Sequence, residues 1–140
     1  MAVLASKRSE SNLLFLENAR NLEIYTLKRT VRFPKRYQAL IGDMLVKLSA
    51  SILNDLKAAN SIYPVNAHEV QMRRDYMTHA QASAQQMLSQ IDVARVMFQE
   101  MEDYQPKESV WLIWMRLLDD EARLISGAKK SDRDKFKDLG

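Results

Sequence analysis

The sequence predicts an all-α fold, an up-down-up-down four-helix bundle, and three observations predict it. Gly and Pro number only three each in 140 residues, too few turns for an all-β fold. The prolines fall at Pro34, Pro64 and Pro106, and divide the chain into four stretches of helical length. Between the second and third of them, Met77, Ala80, Ala84, Met87, Ile91, Ala94, Phe98 and Met101 follow an unbroken 3–4–3–4 spacing. That is the heptad seam of a helix packed against other helices.

The first helix is expected from about Ser11 to Arg32, capped by Ser9 or Ser11. Leu13, Leu16, Ile24, Leu27 and Val31 form its apolar stripe, and Pro34 ends it. Pro34 suits the first position of the second helix, whose stripe is Ile41, Leu45, Leu48, Ile52, Leu56 and Ala59. Asn60 is expected to close that helix in the left-handed conformation. Gly42, inside it, reads either as a tolerated residue or as a point of close backbone approach.

Asn66 and Glu69 read as a capping box for the third helix, expected to reach about Tyr104. The fourth runs from about Lys107 to Ser126, with Gly127 as its stop. It carries two stripes, Val110/Ile113/Leu117/Leu124 and Trp111/Trp114/Leu118/Ala122/Ile125. A surface helix needs one. Either the core face is broad, or Trp111, Trp114 and Leu118 form an oligomer interface, where Trp is favoured. The predicted organisation is an N-terminal arm over residues 1–10, the bundle over 11–127, and a charged, lightly docked tail over 128–140.

Composition and motifs narrow the function classes. There is no cysteine, hence no disulfide and no thiolate metal site. No run of 18 apolar residues exists to span a membrane, and no signal peptide is legible, so a cytoplasmic location with no membrane partner is expected. His68 and His79 are the only histidines; Asp75 and His79 share a helix face, but a metal site needs three or four converging ligands. Phosphate-binding glycine loops and nucleophile elbows are absent. Neither catalytic residues, nor a metal, nor a cofactor is expected. The acidic run Asp119, Asp120 and Glu121 reads as a solvated helix face.

The net charge is only +3, but its distribution is uneven. Thr26 to Ile41 contains no acid and five cations: Lys28, Arg29, Arg32, Lys35 and Arg36. The first three suit the end of a helix; Lys35 and Arg36 begin one, where the dipole opposes cations by about 0.3–1 kcal/mol each. Helix N-termini bearing cations suit phosphate. Arg73 and Arg74 add charge near the start of the third helix, Arg73 on the apolar seam itself. Tyr37 and Tyr76 lie close by in sequence. Basic residues interleaved with aromatics suit nucleic acid, and these seven cations are the candidate contacts.

Four segments carry a resemblance. They are Val31-Arg32-Phe33-Pro34-Lys35-Arg36-Tyr37, Leu56-Lys57-Ala58-Ala59-Asn60, Arg73-Arg74-Asp75-Tyr76 and Ser89-Gln90-Ile91-Asp92-Val93-Ala94. In content and order, over roughly Ser9 to Gly127, they resemble the accessory variability determinant proteins of diversity-generating retroelements. The wider group of four-helix bundle proteins encoded by intervening sequences of 23S ribosomal RNA genes is similar too. The resemblance implies a non-enzymatic homo-oligomer, a pentamer, that binds a reverse transcriptase and its template RNA, or DNA, and supports mutagenic cDNA synthesis. It also implies that the cations of the Phe33-Pro34-Lys35-Arg36 turn and Arg73-Arg74 contact RNA or polymerase. The other reading is a structural or protein-interaction bundle without a nucleic-acid role.

Overall fold

Four long helices form, broken near the three prolines. A computed structural model describes the backbone of residues 2–139 and the side chains of residues 14–139. Helix α1 spans Ala2–Thr30. A single turn, α2 (Lys35–Tyr37), runs through a π-helical turn (Gln38–Gly42) into α3 (Asp43–Ser61). Helix α4 spans Ala67–Gln99 and α5 spans Glu108–Lys135. Each long helix packs on its neighbours in the chain, and α1 closes the ring on α5. Short connections make successive helices antiparallel, as the bundle predicted from sequence requires. The chain reversals after α1 and after α4 share one end of the bundle; the reversal after α3 and the end of α5 share the other.

The seam of α4 behaves as its spacing predicts. Met77, Ala80, Ala84, Met87, Ile91, Ala94 and Phe98 are all buried. The Asn66 side chain accepts from the Glu69 N–H, and the Glu69 carboxylate reaches back to the Val65 N–H. Helix α4 stops at Gln99, five residues before the expected Tyr104, and at about 1.5 Å per residue is about 50 Å long. Ile41 in the π-helical turn and Leu45, Ile52, Leu56 and Ala59 in α3 are buried as expected, with Leu48 half-buried against them. Asn60 does not close the helix in the left-handed region, since no described residue has positive φ; the chain leaves through an extended Ile62 instead. Pro34 is the extended residue before α2 rather than its first helical residue.

Of the stripe expected on α1, Leu16 packs against the core, but the rest of its described side chains face outward. Ile24, Leu27 and Val31 are exposed, and the Leu13 side chain lies outside the described residues. The buried face is Phe15, Ala19, Leu22, Thr26 and Thr30. The two threonines disguise it: Thr26 returns its hydroxyl proton to the Leu22 carbonyl and accepts the Trp114 indole N–H at 2.9 Å, so a polar residue is satisfied in the core. Gly42 is equally plain. A methyl added there would stand 3.5 Å from Thr30 Cβ and 3.7 Å from Phe33 Cδ2, ordinary contact, so no close backbone approach demands glycine.

Helix α5 corrects two further expectations. Its core face is the tryptophan stripe: Trp111, Trp114 and Leu118 are at most 2 % exposed, so these three are not an oligomer interface. The outward residues are Leu112 and Ile113. The helix also ignores Gly127 and continues to Lys135, and Phe136 tucks against Tyr63. The charged tail from residue 128 is therefore mostly helix. It is held there by Asp132, which receives the Arg73 guanidinium, and by buried Phe136. Open space surrounds Gly127. Gly127→Ala is therefore expected to raise stability by about 0.5–1 kcal/mol, read as a higher urea midpoint, because alanine loses less backbone entropy in a helix. A lower midpoint would show that α5 is not continuous through this position.

Candidate nucleic-acid interface

The basic turn is built by an aromatic cluster. After α1, Phe33 inserts into the bundle end, with its ring centroid 4.9 Å from Phe98, 6.0 Å from Tyr104 and 6.3 Å from Trp114. Trp111 and Trp114 stack behind them at 5.8 Å. Burying Phe33 forces the chain to reverse at Pro34, and Gln38 ties the reversal by donating from its amide to the Val31 and Phe33 carbonyls. The flanking cations are thereby pushed outward. Lys28, Arg32, Lys35 and Arg36 are exposed, and none of them forms an ion pair among the described residues. No side chain caps the α2 N-terminus beside Lys35 and Arg36.

Arg29 differs from these four. It is half-buried and faces Tyr25 and Tyr104, whose hydroxyl pKa values are raised by burial and lowered in part by the Arg29 charge. Its Nε and the Tyr104 hydroxyl both lack a hydrogen bond of good geometry. Tyr37 is not a free stacking platform: it is half-buried, edge-on to Phe98 at 5.7 Å. The same bundle end carries Glu100, Glu102 and Asp103 on the α4–α5 connection. The basic surface is thus the α1–α2 side of that end rather than the whole of it.

Arg73 and Arg74 do not join this surface. They lie near the start of α4, about 36 Å along the helix from Phe98. Arg73 is buried: it pairs with Asp132 and donates to the Ala59 carbonyl at 2.9 Å and the Ile62 carbonyl at 3.2 Å. Its position on the apolar seam explains this, since a guanidinium pointed into the bundle must find acceptors there. It is a structural residue, not a phosphate contact. Arg74 is half-buried and faces α5, beside Lys129, Arg133 and Lys137. Sequence reasoning assigned those three to the tail, although 129, 133 and 137 are spaced by four, the signature of one helix face.

Both histidines are exposed, and one acid differs from expectation. His79 pairs with Asp55 of α3, in an open cleft flanked by Met72 and Tyr76; His68 is exposed. No group of three or more His, Asp or Glu side chains converges to hold a metal ion among the described residues. Glu121 is not on a solvated acidic face, unlike Asp119, which pairs with Arg123. It is fully buried between α1 and α5, where Asn18 donates to Oε1 at 2.9 Å and Oε2 has no partner. Burial pushes its pKa up to about 8, with the Asn18 hydrogen bond opposing.

Fold and surface together define an all-helical four-helix bundle with a basic reversal at one end. No described helix is long and apolar enough to cross a membrane. Comparison with protein-family models, with curated proteins and with solved structures finds no match to this chain.

Proposed function

We propose that the protein is a non-enzymatic nucleic-acid-binding bundle whose basic turn holds the phosphate backbone of RNA, or of DNA. One observation carries this reading: Lys28, Arg32, Lys35 and Arg36 project from a single reversal with no acidic partner. Unpaired cations concentrated this way attract a polyanion without regard to sequence. The resemblance to accessory variability determinant proteins supplies the context, that of an accessory protein bound to a reverse transcriptase and its template RNA. Two tests separate these levels. Changing the four cations together to Gln is expected to weaken binding of single-stranded RNA at least tenfold by fluorescence anisotropy, and unchanged binding would remove the assigned surface. Co-elution with the reverse transcriptase of a diversity-generating retroelement tests the partner.

A second reading, a protein-interaction bundle, is favoured by the apolar residues that α1 and α5 leave outside. Leu14, Leu112 and Ile113 are each about half exposed. In the oligomer that the resemblance implies, this outward face of α5, not the tryptophan face, meets the next copy. Light scattering tests it: a monomer would leave that face to a different protein.

A further inference from the structure

The bundle end away from the basic turn holds a second group of cations, drawn from two helices. Arg74 of α4, Lys129 and Arg133 of α5, and Lys137 just beyond it surround a cleft of about 210 Å³. The floor is apolar: Val70, Met77 and Phe136, the last two buried. Lys129 is held across the groove, its Nζ donating to Thr78 Oγ1 and Gln81 Oε1 at 3.0 Å each. The acid in the cleft wall, Asp132, gives both its oxygens to Arg73, so it neutralises none of the four. None of the four has an ion pair among the described residues.

The macrodipole of α5 favours cations in its last turn and so accounts for Arg133. It does not account for Arg74, which belongs to another helix, nor for Lys129, more than a turn earlier. Like charges four residues apart on a helix disfavour the fold, and Lys129 and Arg133 are so spaced. The Lys129 pKa is lowered by burial first and then by Arg74 and Arg133. An apolar floor beneath unneutralised cations lowers the local dielectric and strengthens their pull on an anion. A cleft of this size has room for a phosphoryl or pyrophosphoryl group.

We propose that this α4–α5 cleft is a second, separate anion site that takes a phosphoryl or pyrophosphoryl group. Its source is either free pyrophosphate or the 5′-triphosphate end of an RNA, and the chemistry recognised is the same. The site stands on residues remote from the basic turn and does not depend on the RNA reading. Titration calorimetry of the full chain with pyrophosphate tests it. Saturable one-to-one binding is expected, weakened at least tenfold in Lys129→Met and in Arg133→Gln, and unchanged within about twofold in Lys35→Gln/Arg36→Gln. Lys137→Gln, at an exposed position, provides a variant with no core contact to lose and is expected to weaken binding several-fold. An RNA bearing a 5′-triphosphate that outcompetes the same RNA with a 5′-hydroxyl, with the advantage lost in Lys129→Met, identifies an RNA end as the source; no such advantage, with pyrophosphate still bound, identifies the free anion. No saturable binding at millimolar pyrophosphate, or equal binding by wild type and all three cleft variants, would overturn the proposal.

Discussion

Arg73→Met is expected to destabilise the protein by about 3–5 kcal/mol, read from urea unfolding of the full chain. The guanidinium is inside the bundle, with its side chain 9 % exposed and that of Asp132 14 % exposed. It joins three elements. Its donors reach the Ala59 and Ile62 carbonyls where α3 ends, the first of which also accepts the Ile62 N–H, and both Asp132 oxygens on α5. Methionine fills much of the volume but leaves the part-buried Asp132 carboxylate without its hydrogen-bonded partner and the Ile62 carbonyl without the Arg73 donor. Asp132→Leu alone is expected to be similarly costly, because it strands the arginine. The double variant Arg73→Met/Asp132→Leu is expected to recover part of the loss, since an apolar pair carries no buried charge. Single variants that cost under ~1 kcal/mol would show that the pair does not hold α5 to the α3–α4 turn.

Glu121→Gln is expected to stabilise the protein by an amount that depends on pH. Burial holds the folded-state pKa at about 8, against the ordinary 4.5 of a solvated glutamate. Below about pH 4.5 the carboxyl is protonated in both states and ionisation contributes nothing. As pH rises from there to about 8, the unfolded chain ionises while the folded chain resists, so stability falls. Above about 8 the full penalty is present. At 1.36 kcal/mol per unit, the glutamate costs on the order of 3 kcal/mol at pH 7. Glutamine keeps the acceptor for Asn18 and cannot ionise, so the difference between wild type and variant should be small at pH 4 and grow steadily to pH 8. A difference independent of pH would show that Glu121 is not neutral in the folded protein.

Both predictions concern ionisable residues in the core, and neither was read correctly from sequence. Periodicity made the α4 seam legible because its inward positions are nearly all apolar. It failed on α1, where Thr26 and Thr30 occupy the core and Ile24, Leu27 and Val31 do not. Hydrophobicity alone does not reveal that a buried threonine can serve a neighbouring tryptophan. Arg73 was visible as an exception to the seam, but its acceptors lie 11, 14 and 59 residues away in the chain. Gly127 reads locally as a stop, yet Phe136 and Asp132 downstream give the helix a reason to continue. Of the seven candidate contacts, Lys28, Arg32, Lys35 and Arg36 are where a solvent-facing reversal puts them. They were legible because the cause is local: a phenylalanine that must be buried next to a proline that must turn. Arg29 turns halfway inward, Arg73 is a core residue, and Arg74 belongs to the other end.

The central claim is that those four cations grip phosphates. The salt dependence of single-stranded RNA affinity tests it most directly, measured for wild type and for Lys28→Gln/Arg32→Gln/Lys35→Gln/Arg36→Gln. Each phosphate contact contributes about −0.7 to the slope of log affinity against log salt. Four contacts predict a wild-type slope steeper by about 2.8 than that of the variant, equivalent to about fifty-fold of affinity between 50 and 200 mM salt. Equal slopes and equal affinities for the two proteins would contradict it.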